Sequence, residues 1–210
     1  MPKHMIDISG WNTAFKASPA EAFKSCAAAG IDHVYIKATE GRSSSSERLG
    51  LLSEAARKYS FEVGAYHFAR PDLRAGDAVA EAKFYLDCIK GVPLTLSPVL
   101  DIETVKDWEG NSSQLVQWCM DWASCVADAT GRHPVIYTGP GFWASHLGRT
   151  DKLSGMRLWV AAYPAKLPAS DAKPPKLGDW SPTAWQYTGK GEVAGLNGVI
   201  DLSYVYGDLS

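Results

Sequence analysis

Ser97-Pro98-Val99-Leu100-Asp101-Ile102-Glu103 reads as a short buried strand ending in two carboxylates. Side chains at i and i+2 of a strand share a face, and a rise of roughly 3.3 Å per residue places the two Cα atoms roughly 6.6 Å apart. Glycoside hydrolysis uses carboxyl pairs at roughly 5–9.5 Å, one as acid and the other as nucleophile, base or stabiliser. The same D-x-E can also do no more than cap a strand and bind nearby amides or cations. The choice between these readings depends on what surrounds the stretch.

Outward from it, strands and helices alternate along the whole chain. Met5–Ser9 is a short apolar strand with an acid inside it, and Ser18-Pro19-Ala20-Glu21 has the form of a capping box. The helix it starts carries Ala22, Phe23, Cys26 and Ala27 on one face and stops at Gly30. His33–Ala38 is a second strand, followed by a serine loop over Ser43–Ser46 and a helix with Leu51, Leu52, Ala55, Ala56 and Tyr59 at helical spacing. Glu62–Phe68 is a third strand, and the helix after it stripes Val79, Ala82, Leu86 and Ile89. Beyond the D-x-E strand, Leu115, Trp118, Cys119, Trp122, Val126 and Ala129 mark a buried helix face closed by Gly131. Pro134–Thr138, Leu158–Tyr163, Thr183–Tyr187 and Gly198–Leu202 are further strands, with an aperiodic proline-rich loop over Pro164–Pro182.

This alternation predicts parallel strands joined by right-handed crossovers. Eight strands, with regular helices only in the first five units, predict an α/β fold: a TIM-like (β/α)-barrel with five regular βα units followed by three further strands. A doubly wound open sheet competes, but neither G-x-G-x-x-G nor G-x-x-x-x-G-K-[ST] is present to support its phosphate-binding versions. The 210 residues suffice for one core, so residues 1–210 are expected to form a single domain.

Composition narrows the function classes. A net charge of -2 leaves no footprint for nucleic acid, and no stretch reaches the ~20 apolar residues of a membrane span. No apolar run of signal-peptide length opens the chain. Cys26, Cys88, Cys119 and Cys125 fall in predicted helices; Cys119 and Cys125 lie about 9 Å apart by helical rise, too far for a disulfide. Buried free thiols, without structural zinc, are expected.

In a barrel, residues at the C-terminal strand ends ring one mouth. Those ends carry Asp7, Lys37 with Glu40, Tyr66 with His67, Asp101 with Glu103, Tyr137, Tyr163, Trp185 with Gln186, and Asp201. Acids ringed by aromatics suit a sugar polymer, whose apolar faces stack on Tyr and Trp while carboxylates and amides take its polar groups. Each residue also has a plainer reading: Asp7 and Asp201 as satisfied polar groups, Tyr137 and Trp185 as core aromatics, His67 as a hydrogen-bonded neighbour. Asp7, Asp101, Glu103, Asp201 and His67 would alternatively make a hard, oxygen-rich metal site, as in a deacetylase, though no H-x-x-x-H or H-x-H spacing supports it. A non-catalytic glycan-binding barrel would keep the aromatics without needing the acids.

The strand motifs, taken in order from Ile6-Asp7-Ile8-Ser9 through Tyr35–Gly41, Gly64–Phe68, Pro98–Glu103, Val135–Thr138, Leu158–Tyr163 and Ala184–Tyr187 to Ile200-Asp201-Leu202, resemble glycoside hydrolase family 25, the Chalaropsis-type lysozymes common among phage endolysins. The resemblance implies cleavage, with net retention, of the β-1,4 bond from N-acetylmuramic acid to N-acetylglucosamine in peptidoglycan. It implies Glu103 as acid/base, and Asp101 as the carboxylate that attacks C1 or orients the substrate's acetamido group. Asp7 and Asp201 would be further acids of the floor. Tyr66, Tyr137, Trp185 and Gln186 would line the sugar groove by that resemblance, and Tyr163, Lys37, Glu40 and His67, at the same strand ends, are further candidates to bind the sugar. Like-charge repulsion from three neighbouring carboxylates should keep Glu103 protonated. No cofactor and no metal are implied. The expected partner is bacterial peptidoglycan, acted on by a monomer with no separate wall-binding domain. The expected setting is a phage enzyme held in the host cytoplasm until a holin or lysis releases it.

Overall fold

The computed structural model describes residues 2–106 and 108–210. Its strands are β1 (Lys3–Ile8), β2 (Ile31–Glu40), β3 (Ser44–Ser45), β4 (Glu62–Phe68), β5 (Val99–Asp101), β6 (Val135–Thr138), β7 (Arg157–Ala161), β8 (Pro182–Gly191) and β9 (Ile200–Val205). Helices α1 (Thr13–Ala17), α2 (Pro19–Ala28), α3 (Leu49–Arg57), α4 (Asp77–Ile89), α5 (Ser112–Thr130) and α6 (Pro140–Ser145) fill the connections up to β7. Strands run in the order β1-β9-β8-β7-β6-β5-β4-β2, and β2 pairs back to β1, so eight strands close a barrel. The expected (β/α)-barrel with five βα units and three further strands is what forms.

Two corrections concern the sheet. The final strand is antiparallel to both β8 and β1, whereas the other barrel neighbours pair in parallel. The serine loop contains β3, a two-residue strand that folds back on Thr39 and Glu40 at the end of β2.

A closed sheet is buried on both faces, so its strands sort residues between two cores. Inside lie Met5, Tyr35, Val99, Val135, Trp159 and Ala184, with the tail's Leu209 among them. Outside, under the helices, lie Val34, Ile36, Leu100 and Ile102 from the same strands, packed against Phe23, Ala56, Ala82, Trp122 and Val126. Each fully buried Leu, Ile or Phe side chain contributes roughly 1.5–3 kcal/mol of transfer free energy.

Several local expectations need correction. Ser18 does precede α2, with Pro19 in its first turn, but its side chain makes no capping bond. The reciprocal box sits instead at α5: Gln114 N donates to Asn111 Oδ1 at 3.0 Å, and Asn111 N to Gln114 Oε1 at 2.9 Å. Leu51 is exposed, and α3 buries Leu49, Leu52, Ser53 and Ala56. On α4 the buried face is Ala78, Glu81, Ala82 and Tyr85 with Asp77, leaving Val79, Leu86 and Ile89 half-buried. Hydrophobicity misplaced this stripe because two acids face inward. Asp77 Oδ2 accepts from Trp118 Nε1 at 2.9 Å, and Glu81 Oε2 accepts from the Arg70 amide at 3.1 Å. Ala129 is exposed at the end of α5. All four cysteines are free, but only Cys26 and Cys119 are buried; Cys88 and Cys125 are half-buried. Among the described residues no helix is long and apolar enough to cross a membrane.

Candidate active site

The strand ends at Asp101, and Glu103 stands two residues beyond it on the same side. Alternation simply continues: Leu100 and Ile102 point outward to the helices, while Val99, Asp101 and Glu103 point into a hollow of about 270 Å³ at the barrel mouth. Asp7 and Asp201 meet them there. These two are register partners across the β1–β9 pair. Asp201 lies near the start of β9, not at a C-terminal end as expected, and the reversed direction of that strand is what brings it to the mouth.

Aromatic and amide side chains hold the acids in place. Tyr137 Oη donates to Gln186 Oε1 at 2.8 Å, and the Tyr163 hydroxyl donates to the same oxygen. With its carbonyl fixed by two tyrosines, Gln186 directs its amide at Asp7, and Nε2 donates to Oδ2 at 2.8 Å. Tyr137 packs edge-on to Trp159, whose Nε1 donates to Ser203 Oγ at 3.1 Å. Tyr66 completes this wall, and Tyr163 reaches out into solvent at the rim.

A cationic bracket closes the opposite side. Glu40 accepts from Lys37 Nζ through Oε2, and from Arg70 Nη2 at 2.6 Å and Nε at 2.8 Å through Oε1. Lys37 Nζ and Arg70 Cζ also lie 4.5 Å and 4.6 Å from the centre of the Phe68 ring. Burial alone would raise the Glu40 carboxyl, but these hydrogen bonds and charges bring it below its ordinary value.

The four acids are all displaced the other way. Burial, then the charges of Asp201 and Glu103, hold Asp7 well above the usual carboxylate range, against the Gln186 hydrogen bond. Burial, then Glu103 and Asp7, do the same to Asp101, with Lys37 and Arg70 opposing. Asp101 Oδ1 is buried with no hydrogen-bond partner among the described residues, which further disfavours its charge. Burial pushes Asp201 up to about 6. Glu103, the most open of the four, is raised first by loss of solvation and then by Asp201, again against Lys37 and Arg70. The upward shift of Glu103 therefore has loss of solvation as its leading cause, with one neighbouring carboxylate, not three, adding repulsion.

This cluster has a stability cost with a definite sign. An acid whose folded pKa exceeds its unfolded value stabilises the fold below the unfolded pKa, and that contribution is lost as pH rises through the folded value. For Asp201 the window runs from 3.8 to about 6. Asp201→Asn should therefore raise the melting temperature at pH 7 by roughly 2–4 °C, corresponding to ~1 kcal/mol. It should also flatten the fall in melting temperature across that window, as differential scanning calorimetry would record. A lower melting temperature at pH 7 would contradict the sign.

Three expected groove residues lie elsewhere. His67 follows Tyr66 and precedes Phe68, both of which face the hollow, so it faces the other way. It is fully buried behind the barrel, 2.8 Å from Thr39 Oγ1 and 2.7 Å from Glu81 Oε2, and stacked on Trp122. Trp185 is displaced by the same parity from Gln186 and packs in the outer core, its Nε1 donating to Ala162 O at 2.7 Å. Glu40 borders the rim and holds Lys37 but does not line the hollow. With His67 turned away, the oxygen-and-histidine metal set does not assemble, and no group of three or more His, Cys, Asp or Glu among the described residues is arranged to hold a metal. Trp180, in the proline-rich loop, is buried against Met156 O at the far end of the barrel and walls no groove at this mouth.

The hollow is also lined by Ser9, Trp11, Phe68, Val99 and Trp159, none of which the acid-and-aromatic pattern of the strand ends picks out. Phe68 had a usable signal, as the last residue of β4 and two positions from Tyr66. Trp11 lies three positions past the end of β1, in a loop at the same mouth.

The glycosyl hydrolases family 25 model matches residues 6–196. The chain is 30% identical over 204 residues to lysozyme M1 of Streptomyces globisporus, spanning 93% of this chain and 65% of that one. It is 30% identical over 215 residues to the N,O-diacetylmuramidase of Chalaropsis sp, spanning 94% and 93%. Among solved structures, the bacterial lysozyme of Streptomyces coelicolor superposes with a TM-score of 0.81 at 27% identity, covering 99% of this chain and 94% of that one.

Proposed function

This chain belongs to glycosyl hydrolases family 25, and from that premise we propose that it hydrolyses peptidoglycan, cutting the β-1,4 bond from N-acetylmuramic acid to N-acetylglucosamine with net retention. The observation that carries the reading is the gathering of Asp7, Asp101, Glu103 and Asp201 in one aromatic-walled hollow, all with raised pKa values. Solution-like carboxyls would be ionised at neutral pH and unable to donate a proton. A site that raises the pKa of a carboxyl open to the substrate suits acid-catalysed departure of a sugar oxygen.

The roles follow from position. Glu103, open to the mouth, protonates the glycosidic oxygen as the bond to C1 breaks, and then takes a proton from the incoming water. Asp101, buried deeper, answers the positive charge at C1 as the carboxylate anion, by direct attack or by holding the acetamido group that attacks, and Lys37 and Arg70 are the charges that favour that anion. Either route inverts twice and so retains configuration. Asp7, fixed by Gln186, and its register partner Asp201 set the charge of the floor. Tyr66, Tyr137, Tyr163 and Lys37 hold the sugar, with Glu40 locking Lys37 in place. The barrel acts as one catalytic unit on its polymer.

Digestion of purified peptidoglycan tests this. New reducing ends should appear on N-acetylmuramic acid after borohydride reduction and mass analysis. Reducing ends on N-acetylglucosamine, or free acetate without chain cleavage, would overturn the proposal.

A further inference from the structure

Trp11 is 86% exposed, the most open large apolar side chain described. Its exposure is held by local chemistry. The Ser9 amide donates to Asn12 Oδ1 at 2.8 Å, the Asn12 amide returns to Ser9 O at 3.2 Å, and α1 begins at once with Phe15 anchored in the core. The turn thus presents the indole at the mouth while its neighbours are tied down. Leaving so large an apolar surface in water forgoes stabilisation that burial would supply, unless a ligand covers it.

Trp11 stands on a boundary. Together with Ser9 and Lys37 it lines both the acid-bearing hollow and a second one of about 250 Å³. The second hollow is otherwise walled by Thr39, Glu40 and the serines Ser44, Ser45 and Ser46. By strand parity Ser45 shares the face of its register partner Thr39, whose hydroxyl meets His67, which leaves Ser44 and Ser46 to carry hydroxyls on this wall. Glu40 is already committed to Lys37 and Arg70, so this wall offers neutral hydroxyls more than a free charge. One flat aromatic face beside the Ser44 and Ser46 hydroxyls matches an uncharged pyranose, apolar on its faces and polar at its edge.

We infer that Trp11 and the Ser44–Ser46 hollow form a further sugar subsite, holding a residue of the glycan strand beyond those at the acids. This rests on the glycan-cleaving reading above. It makes β3 and the β1–α1 turn two sides of one groove, and it makes affinity depend on chain length.

The test uses Glu103→Gln protein, in which binding is read without turnover, titrated calorimetrically with peptide-free tetra-, hexa- and octasaccharides of the wall glycan. The parent should bind tighter as the chain lengthens. Trp11→Ala should remove that gain, weakening the longest oligomer roughly tenfold relative to the shortest. Trp11→Tyr should restore most of it, and Ser44→Trp, which adds bulk on the β3 wall of the second hollow, should reproduce the loss. An unchanged length dependence in Trp11→Ala and Ser44→Trp, or an equal loss at every length, would overturn the subsite. Failure of the cleavage reading is visible separately, as unmutated enzyme that releases no reducing ends.

Discussion

Glu103→Gln is expected to lower wall hydrolysis by roughly 10³-fold, within the 10²–10⁴ range that removing a general acid typically costs. Gln keeps the shape and polarity of the side chain and removes only its proton. The substitution also removes a carboxyl that burial and Asp201 already disfavour as an anion, so thermal stability should hold or rise. The pH profile gives a second readout. A general acid works only while protonated, so the native rate should fall on the alkaline side as Glu103 ionises. Its raised pKa places that fall above the ordinary glutamate range. In Glu103→Gln this limb should vanish from whatever activity remains. Turbidity clearing and reducing-end release, both per folded molecule, are the measurements. Activity within about tenfold of the native enzyme would remove Glu103 from its role.

Much of the site was legible because acids in apolar strands are rare enough to notice. Asp7 sits inside Met5–Ile8 and Asp101 closes Val99–Leu100, so each is a polar residue where hydrophobicity predicts none. What could not be read was which way neighbouring strand residues face. In a one-sided sheet, polarity alternates and marks the wet face; in a closed barrel under helices both faces are buried. Tyr66 with His67, and Trp185 with Gln186, therefore looked like pairs serving one mouth. Strand parity allows only one of each to face inward, and nothing in the composition of either face says which. Asp201 was identified for a wrong reason, since a strand joined to its neighbour by a short return gives no helix to reveal its reversed direction. Trp11 lies in the turn between β1 and α1, where strand periodicity carries no signal. The inward stripe of α4 was misjudged by its acids, Asp77 and Glu81, whose partners Trp118, His67 and the Arg70 amide come from elsewhere in the chain.

The largest expected effect on stability falls at a residue with no side chain. Gly64→Ala should destabilise the barrel by ~3 kcal/mol or more, lowering the melting temperature by roughly 6–12 °C for a chain of this size. A Cβ at Gly64 would lie 2.1 Å from Tyr35 Cε1 and 2.4 Å from Cδ1, far inside any tolerated contact. Gly64 and Tyr35 are direct register partners of β4 and β2, and the Tyr35 ring lies across the gap that the glycine leaves. The ring cannot easily retreat. It is fully buried in the barrel interior, its hydroxyl donates to Ser97 O at 3.1 Å, and its centre lies 5.3 Å from that of Trp159. Displacing it breaks that hydrogen bond and pushes Trp159, which braces Tyr137 at the floor of the hollow. Gly64→Ala should therefore also depress activity per folded molecule. A double-mutant cycle isolates the cause: if the clash with the ring is responsible, Gly64→Ala combined with Tyr35→Ala will be more stable than the sum of the two single losses predicts. Strict additivity, or a Gly64→Ala protein that melts with the native one, would show that the ring and the glycine do not constrain each other.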